Sequence, residues 1–500
     1  MRKRIRCPKL RKKIISAQDA AALIKDGMNI ATGGFTPVGY PKAITLALSE
    51  RATAGDKLKI NLMTGASTGK EMDDALTKAG MIHKRMPYQG TKSTRDALNT
   101  VGGIEYQDQH ISLFPQQTRY GFFGPIDFAI IEACAITEDG GIIPTTSVGN
   151  SPVFVQCAKK VLIELNTAQP LELAGMHDIY LLDDPPHRQP IPLVRSDQRI
   201  GTNYIPCPIE KIAGIVITNI PDDADPLADT DELYQKIAEN VLTFFEKESK
   251  EKNFNLEKLP WQSGVGSVAN AVLLGILNSR YSNLHFFSEV IQDAVLDLLE
   301  SGHFSIASAS AITLSPKGLK HFYDNINFFR EKIILRPQEI SNHPEVIRRL
   351  GIISMNTAIE ADIYGNINSS HLMGTKMMNG IGGSGDLARN SYLSIFITPS
   401  TAKGGAISSF VPMCSHVDHT EHDVSIIISE QGVADLRNKS PRERAMEIIN
   451  YCAHPDYRPL LTEYYQRALQ KTPANWAHTP HVLSEAFSFH QRFLETGSMK

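Results

Sequence analysis

Residues 128–165, FAIIEACAITEDGGIIPTTSVGNSPVFVQCAKKVLIEL, decide the fold class. The stretch opens and closes on short apolar runs, 128–132 and 160–165, that read as strands. Between them lie a Gly-Gly turn at Gly140 and Gly141 and a Val-Gly-Asn-Ser turn at 148–151. Runs of the same kind at 29–32, 58–63 and 213–218 alternate with helical patterns. Such alternation predicts an α/β protein with largely parallel sheets.

The pattern echoes itself further along. Ala135-Ile136 followed by Asp139-Gly140-Gly141-Ile142 has a counterpart in Ala358-Ile359 followed by Asp362, Gly365, Asn366 and Ile367. The turn at 148–151 has a counterpart at 381–384, and each precedes an apolar strand at the same spacing. Between residues 220 and 260 the character changes. An acidic, Pro-containing stretch at 221–231 leads into a charged amphipathic segment at 232–252, read as a linker and a connecting helix. This places a boundary near residue 230, with domains at 1–230 and 231–500. If the echo is a duplication, two similar α/β domains face each other and a ligand sits in the cleft between their strand ends.

Composition sets the limits. Five hundred residues, 42% apolar and 21% charged, suffice for two or three cores. A net charge of -3, from 51 Lys and Arg against 54 Asp and Glu, provides no field for a polyanion, which argues against nucleic acid as a partner. No apolar run approaches the roughly 20 residues of a membrane helix. Six scattered cysteines without a CxxC pair fit a reduced compartment. Residues 1–13 carry eight basic side chains with no apolar stretch behind them. That fits a cytoplasmic protein with a basic start better than its alternative, a presequence for the mitochondrial matrix.

Five motifs carry candidate chemistry. Residues 380–385, GIGGSG, match GxGxxG, but no convincing strand precedes them and 400–410 offer no acid for a ribose. Their glycines still let backbone approach a ligand closely. Residues 65–69, GASTG, match the GxSxG elbow around Ser67, which raises a serine thioesterase. Asn61 in the preceding strand and the polar opening KEMDD at 70–74 read instead as a loop at a strand end. Residues 415–423, SHVDHTEHD, have metal-ligand side chains, yet three imidazoles from one short segment fit a hydrogen-bonded polar loop better. Residues 264–272, GVGSVANAV, form a Gly turn opening a helix, where unpaired N–H groups can hold a phosphate or an oxyanion. Glu289 stands among apolar neighbours at a strand end, where a carboxylate can serve as base or nucleophile.

Together the stretches 33–42, 262–272, 288–293, 336–345, 379–386, 398–405 and 416–437 resemble the class I coenzyme A transferases of the acetyl-CoA hydrolase and succinyl-CoA:acetate CoA-transferase branch. The resemblance spans nearly the whole chain in order. It implies two open α/β domains of the NagB/RpiA/CoA-transferase type with the active site in the cleft between them. It implies Glu289 as the catalytic glutamate, ionised at neutral pH by its reference pKa near 4.3, forming an anhydride and then a glutamyl-CoA thioester by ping-pong chemistry. It implies the amides of Val265 and Gly383 as an oxyanion hole. Gly264, Val265, Gly266, Ser267, Val268, Asn379, Gly383 and Lys403 lie along CoA in this reading, with Asn342 and Glu430 near the reacting carboxylate. Ser267 stands where relatives more often carry Asn. No metal and no permanently bound cofactor are implied; CoA is a substrate, the partners are acyl-CoA and small carboxylic acids, and a homodimer is expected. The same resemblance leaves an acyl-CoA hydrolase open, in which water resolves the thioester, and more remotely a non-catalytic acyl-CoA binding protein. A second substrate carboxylate would need a cation, for which Lys42, Lys70, Arg119 and Arg195 are candidates.

Overall fold

The apolar runs that open the chain become the strands of one parallel sheet. In the computed structural model, which describes residues 2–224, 231–251 and 258–500, these strands are β1 (Asn29–Thr32), β2 (Ile60–Met63), β3 (Ile82–Met86), β4 (Glu105–Tyr106), β5 (Phe128–Ala133), β6 (Lys160–Asn166) and β7 (Ile212–Thr218). Their order is β4-β3-β2-β1-β5-β6-β7, every pair parallel. The strand read at 58–63 starts only at Ile60, because the Lys59 N–H is donated to the Asp26 carboxylate at 2.7 Å and leaves the ladder. Val161, Leu162, Ile163 and Leu165 of β6 are all fully buried, as a central parallel strand covered on both faces requires. At about 1.5–3 kcal/mol per buried side chain, such strands dominate the stability of the sheet.

The chain gathers into two compact units. The first holds Met1–Pro226, His285–Leu350 and Asn379–Asp386; the second holds Leu227–Leu284, Gly351–Met378 and Leu387–Lys500. The boundary expected near residue 230 lies outside the described residues. Besides its seven-stranded sheet, the first unit pairs Phe304–Ala309 with Ile333–Leu335 and Val290–Ile291 with Ala311–Ile312, both in parallel. In the second unit Trp261–Ser263, Ile353–Thr357, Leu393–Ile397 and Ile426–Ser429 run parallel in that order, and Gly432–Asp435 adds an antiparallel edge. The charged amphipathic segment forms the helix Glu232–Glu251, which packs on the helix Ser267–Ile276.

The internal echo is structural as well. Strand β5 is followed by an antiparallel pair, Ala135–Ile136 with Ile142–Ile143, then the helix Ser151–Cys157 and strand β6. Ile353–Thr357 is followed by an antiparallel pair, Glu360–Asp362 with Ile367–Asn368, and later by the helix Ser384–Asn390 and the strand Leu393–Ile397. Gly140 and Gly365, matched in the sequence echo, share a backbone φ of 94°, left-handed geometry that glycine adopts without strain.

Among the described residues no helix is long and apolar enough to cross a membrane. All six cysteines are free thiols; five are buried and Cys157 is half-buried.

Candidate active site

Glu289 stands between two strands, separated from Leu284–Phe287 by Ser288 and directly before Val290–Ile291. Its carbonyl accepts N–H bonds from Ser310 and Ala311 at 2.8 and 3.1 Å, so the backbone that carries the side chain is fixed. The Asn342 amide donates to Glu289 Oε1 at 2.7 Å. Asn342 ends the short helix Gln338–Ser341, and its own N–H is bonded to the Gln338 carbonyl at 2.9 Å, which sets the angle of the amide.

Gly383 closes the other side. A methyl group on its Cα would lie 1.8 Å from Glu289 Oε1 and 2.2 Å from Asn342 Nδ2, so any larger residue displaces the carboxylate or the amide that holds it. The N–H of Gly383 has no hydrogen-bond partner among the described residues. An unpaired N–H beside a carboxylate that can attack a carbonyl is what an oxyanion site needs. Nearby, Phe35, Val38, Ala66, Ile111, Val290 and Ala311 form an apolar cluster with Tyr88 packed against it. Burial pushes the Glu289 carboxyl up to about 7, while the Asn342 hydrogen bond pulls it down. This push works against the reference-value expectation of a fully ionised glutamate at neutral pH, because burial penalises the charged form.

The glycine-rich segment 379–386 is clamped by residues 106–112. Asp108 Oδ2 accepts the Ile381 N–H at 2.8 Å, and the Tyr106 hydroxyl donates to the Asn379 carbonyl at 2.6 Å. Asp386 accepts both the N–H and the hydroxyl of Ser112, at 3.0 and 2.6 Å. Burial raises the Asp386 carboxyl to about 7, and the Glu289 charge pushes the same way. Gly380 and Gly382 have φ of 153° and 58°, and a methyl on Gly380 would meet the Tyr106 hydroxyl, the Asp108 carboxylate and the Tyr88 ring within 2.8 Å.

Residues 1–217 match the acetyl-CoA hydrolase/transferase N-terminal domain, and residues 318–465 match the C-terminal domain of the same family. The chain belongs to the acetyl-CoA hydrolase/transferase family. A succinyl-CoA:acetate CoA-transferase of Clostridium kluyveri is 53% identical over 499 residues, 100% of this chain and 92% of that protein. An acetyl-CoA hydrolase of Schizosaccharomyces pombe is 44% identical over 514 residues, 99% of this chain and 98% of its own. RipA of Yersinia pestis, at 21% identity, covers 92% of this chain and 98% of its own with a TM-score of 0.71, which shows a shared fold. The protein is therefore an enzyme of CoA transfer or acyl-CoA hydrolysis.

Other residues singled out from the sequence lie in the second unit. Gly264, Val265 and Gly266 form the turn before the helix Ser267–Ile276, with Gly266 at φ 115°. Gly264 donates its N–H to Met355 at 2.9 Å, whereas the Val265 N–H is unpaired among the described residues and the Val265 side chain is exposed. Ser267 and Val268 open the helix. Glu430 sits in the tight turn between Ile426–Ser429 and Gly432–Asp435; its carboxylate accepts the Ser400 N–H at 2.8 Å and the Gln431 amide at 3.0 Å. Lys403 adopts a left-handed φ of 50° at a hairpin tip, its ammonium 5.0 Å from the centre of the Phe493 ring.

Of the four candidate cations, Lys42 is fully buried and bonded to Glu132 and Asp222 at 2.8 and 2.9 Å. Arg119 is held by Glu339 and Asp184, Lys70 pairs with Asp223, and Arg195 pairs with Asp197. No histidine hydrogen-bonds the Ser67 hydroxyl among the described residues, and the turn after it, Lys70–Asp74, is a π-helical one whose buried Asp73 pairs with Arg85. The histidine-rich loop is a polar network: His416 stacks on His371 at 3.8 Å, Asp418 accepts from Ser369 and Ser370, and His419 packs on Phe396. Among the described residues no cluster of three His, Cys, Asp or Glu could hold a metal ion. Tyr88, Tyr106, Asp108 and Ser112 were not singled out in the sequence, because the short segments that carry them have neither a motif spacing nor a periodic pattern.

Proposed function

We propose that this enzyme moves CoA between small carboxylates, acetyl and succinyl groups first among them, through a glutamyl-CoA thioester at Glu289. One observation carries the reading: a desolvated carboxylate held by Asn342 and pressed against a glycine whose N–H is unpaired. A Glu289 oxygen attacks the acyl-CoA carbonyl, the carbon–sulfur bond breaks, and CoA leaves as thiolate from a mixed anhydride. The thiolate then attacks the glutamyl carbonyl, releasing the first carboxylate and leaving the thioester. An acceptor carboxylate reverses both steps and departs as its CoA ester.

Each attack develops charge on a carbonyl oxygen, which the N–H groups of Val265 and Gly383 receive in this reading. Asn342 orients the nucleophile. Gly264, Gly266, Ser267, Val268 and Asn379 follow the CoA chain, Lys403 neutralises its phosphates, and Glu430 lies toward the glutamyl site. The burial of Lys42 removes it from the candidates for a second substrate carboxylate. The reading carries the family expectations of a homodimer and of a cytoplasmic setting, the first checked by light scattering of the purified chain.

Glu289→Ala should abolish acyl exchange, and hydroxylamine added with acetyl-CoA should label Glu289. Normal exchange by the variant, or an acetyl ester found on Ser67 after incubation with acetyl-CoA alone, would overturn the proposal. The second reading is hydrolysis, supported by the relatives of that name. Comparing CoA release from acetyl-CoA with and without succinate decides between them: transfer makes release depend on the acceptor, hydrolysis does not.

A further inference from the structure

Parallel sheets are ordinarily covered by apolar layers on both faces. The sheet of the first unit obeys this on one side, where Ile30, Ile60 and Leu62 pack in one core with Ile44, Ala47 and Leu48 of the helix Ala43–Thr53. On the other side, register places Asn29 beside Asn61 and Asn61 beside Lys84, a polar row across β1, β2 and β3. The row continues to the exposed Glu105 on β4, with which Lys84 makes no ion pair.

Over this row lies a cleft of about 400 Å³. Gln107, Gln109 and Gln117 line it with Asn29, Asn61 and Lys84, and Phe122 and Phe123 form a wall. Asn61 donates to Asn29 at 2.8 Å. The ammonium of Lys84 and the amides of Gln107, Gln109 and Gln117 have no partners among the described residues. Phe123 is braced on Phe114 at 4.9 Å, and Phe122 is 69% exposed.

We propose that this cleft binds a nucleoside monophosphate. The unpaired carboxamides offer donors and acceptors side by side, the chemistry that reads the edge of a base. The phenylalanines supply flat faces on which a base stacks. One ammonium matches one phosphate, whereas a chain of phosphates would be left under-neutralised. A small carboxylate would leave most of the carboxamides unpaired, and a purely apolar ligand would leave all of them so.

The site is coupled to the chemistry. Gln107 and Gln109 flank Asp108, which holds the Ile381 N–H, in the same stretch whose Tyr106 holds Asn379. A ligand that orders this stretch stiffens the clamp on segment 379–386 and alters turnover.

Isothermal titration of the full-length chain with AMP tests the proposal, with ribose 5-phosphate and inorganic phosphate as probes lacking a base. Saturable AMP binding is expected, with both base-free probes at least about tenfold weaker. Lys84→Ala and Gln117→Ala should each weaken AMP about tenfold while CoA transfer without AMP stays at the wild-type rate. No AMP binding, or binding that both variants retain in full, would overturn the site. Competition between CoA and AMP, lost in the variants, would overturn the separate site by giving the cleft to the nucleotide end of CoA itself.

Discussion

In the proposed reaction Glu289 is the nucleophile, and its reactivity is set by two opposing influences. The apolar cluster of Phe35, Val38, Ala66, Ile111, Val290 and Ala311 dries its surroundings and favours the neutral acid; the Asn342 amide favours the carboxylate. Only the carboxylate attacks, so turnover should rise as pH increases through about 7 and level off above it. Removing the Asn342 hydrogen bond raises the carboxyl further. Asn342→Ala should therefore move the acidic limb of the kcat/KM profile upward by about one unit, because a hydrogen bond to a charged group is worth about 1.5–3 kcal/mol. A limb that does not move, with activity simply lowered at every pH, would assign Asn342 to positioning alone. Reading the sequence reached Glu289 through its strand-end setting and the family resemblance. Its raised pKa was not legible, since the residues that desolvate it come from five separate stretches of chain.

At the scale of elements, the decisive piece is the eight-residue segment 379–386. Its glycines were visible in the sequence as GIGGSG, and the missing strand before it is confirmed: only the two-residue pieces His371–Leu372 and Lys376–Met377 occur there. What the pattern could not show is the clamp from residues 106–112, because Asp108 and Ser112 act through main-chain N–H bonds across more than 270 residues. Gly383→Ala should drive a methyl into the Glu289 carboxylate and lower kcat by at least about a hundredfold with folding intact, as circular dichroism and kinetics together would show. Asp108→Asn keeps an acceptor for Ile381 and should retain most activity, whereas Asp108→Ala should lose it about tenfold.

At the scale of the molecule, five of the seven strands of the first sheet were legible to within two residues at either end, because buried parallel strands read as unbroken apolar runs, whereas β3 and β4, which carry His83, Lys84, Arg85 and Glu105, were not. The charged groups that join its loops were not. Lys42, one of four unranked candidates for a substrate cation, lies buried against Glu132, Asp222 and the Tyr40 carbonyl. Asp222 also accepts the Gly39 N–H at 3.1 Å and the Gln169 amide at 2.9 Å, and Glu132 accepts the Thr145 hydroxyl at 2.7 Å. The cluster ties residues 39–42, 132, 145, 169 and 222 into one polar knot. Lys42→Met should strand two buried carboxylates and lower the unfolding free energy by about 3–5 kcal/mol in urea titrations. Adding Glu132→Gln should recover part of that loss.

The buried cysteines acquire meaning beside this chemistry. A reaction that releases free CoA and activated acyl groups exposes every nearby thiol to acyl capture and mixed-disulfide exchange. Burial pushes Cys134 and Cys452 up to about 12 and Cys207 up to about 11, and it raises the half-buried Cys157 as well. These thiols stay protonated at neutral pH and are poor nucleophiles. These four cysteines are thus poor acceptors for activated acyl groups, and in a colorimetric disulfide assay of the native enzyme, liberated CoA should react faster than they do.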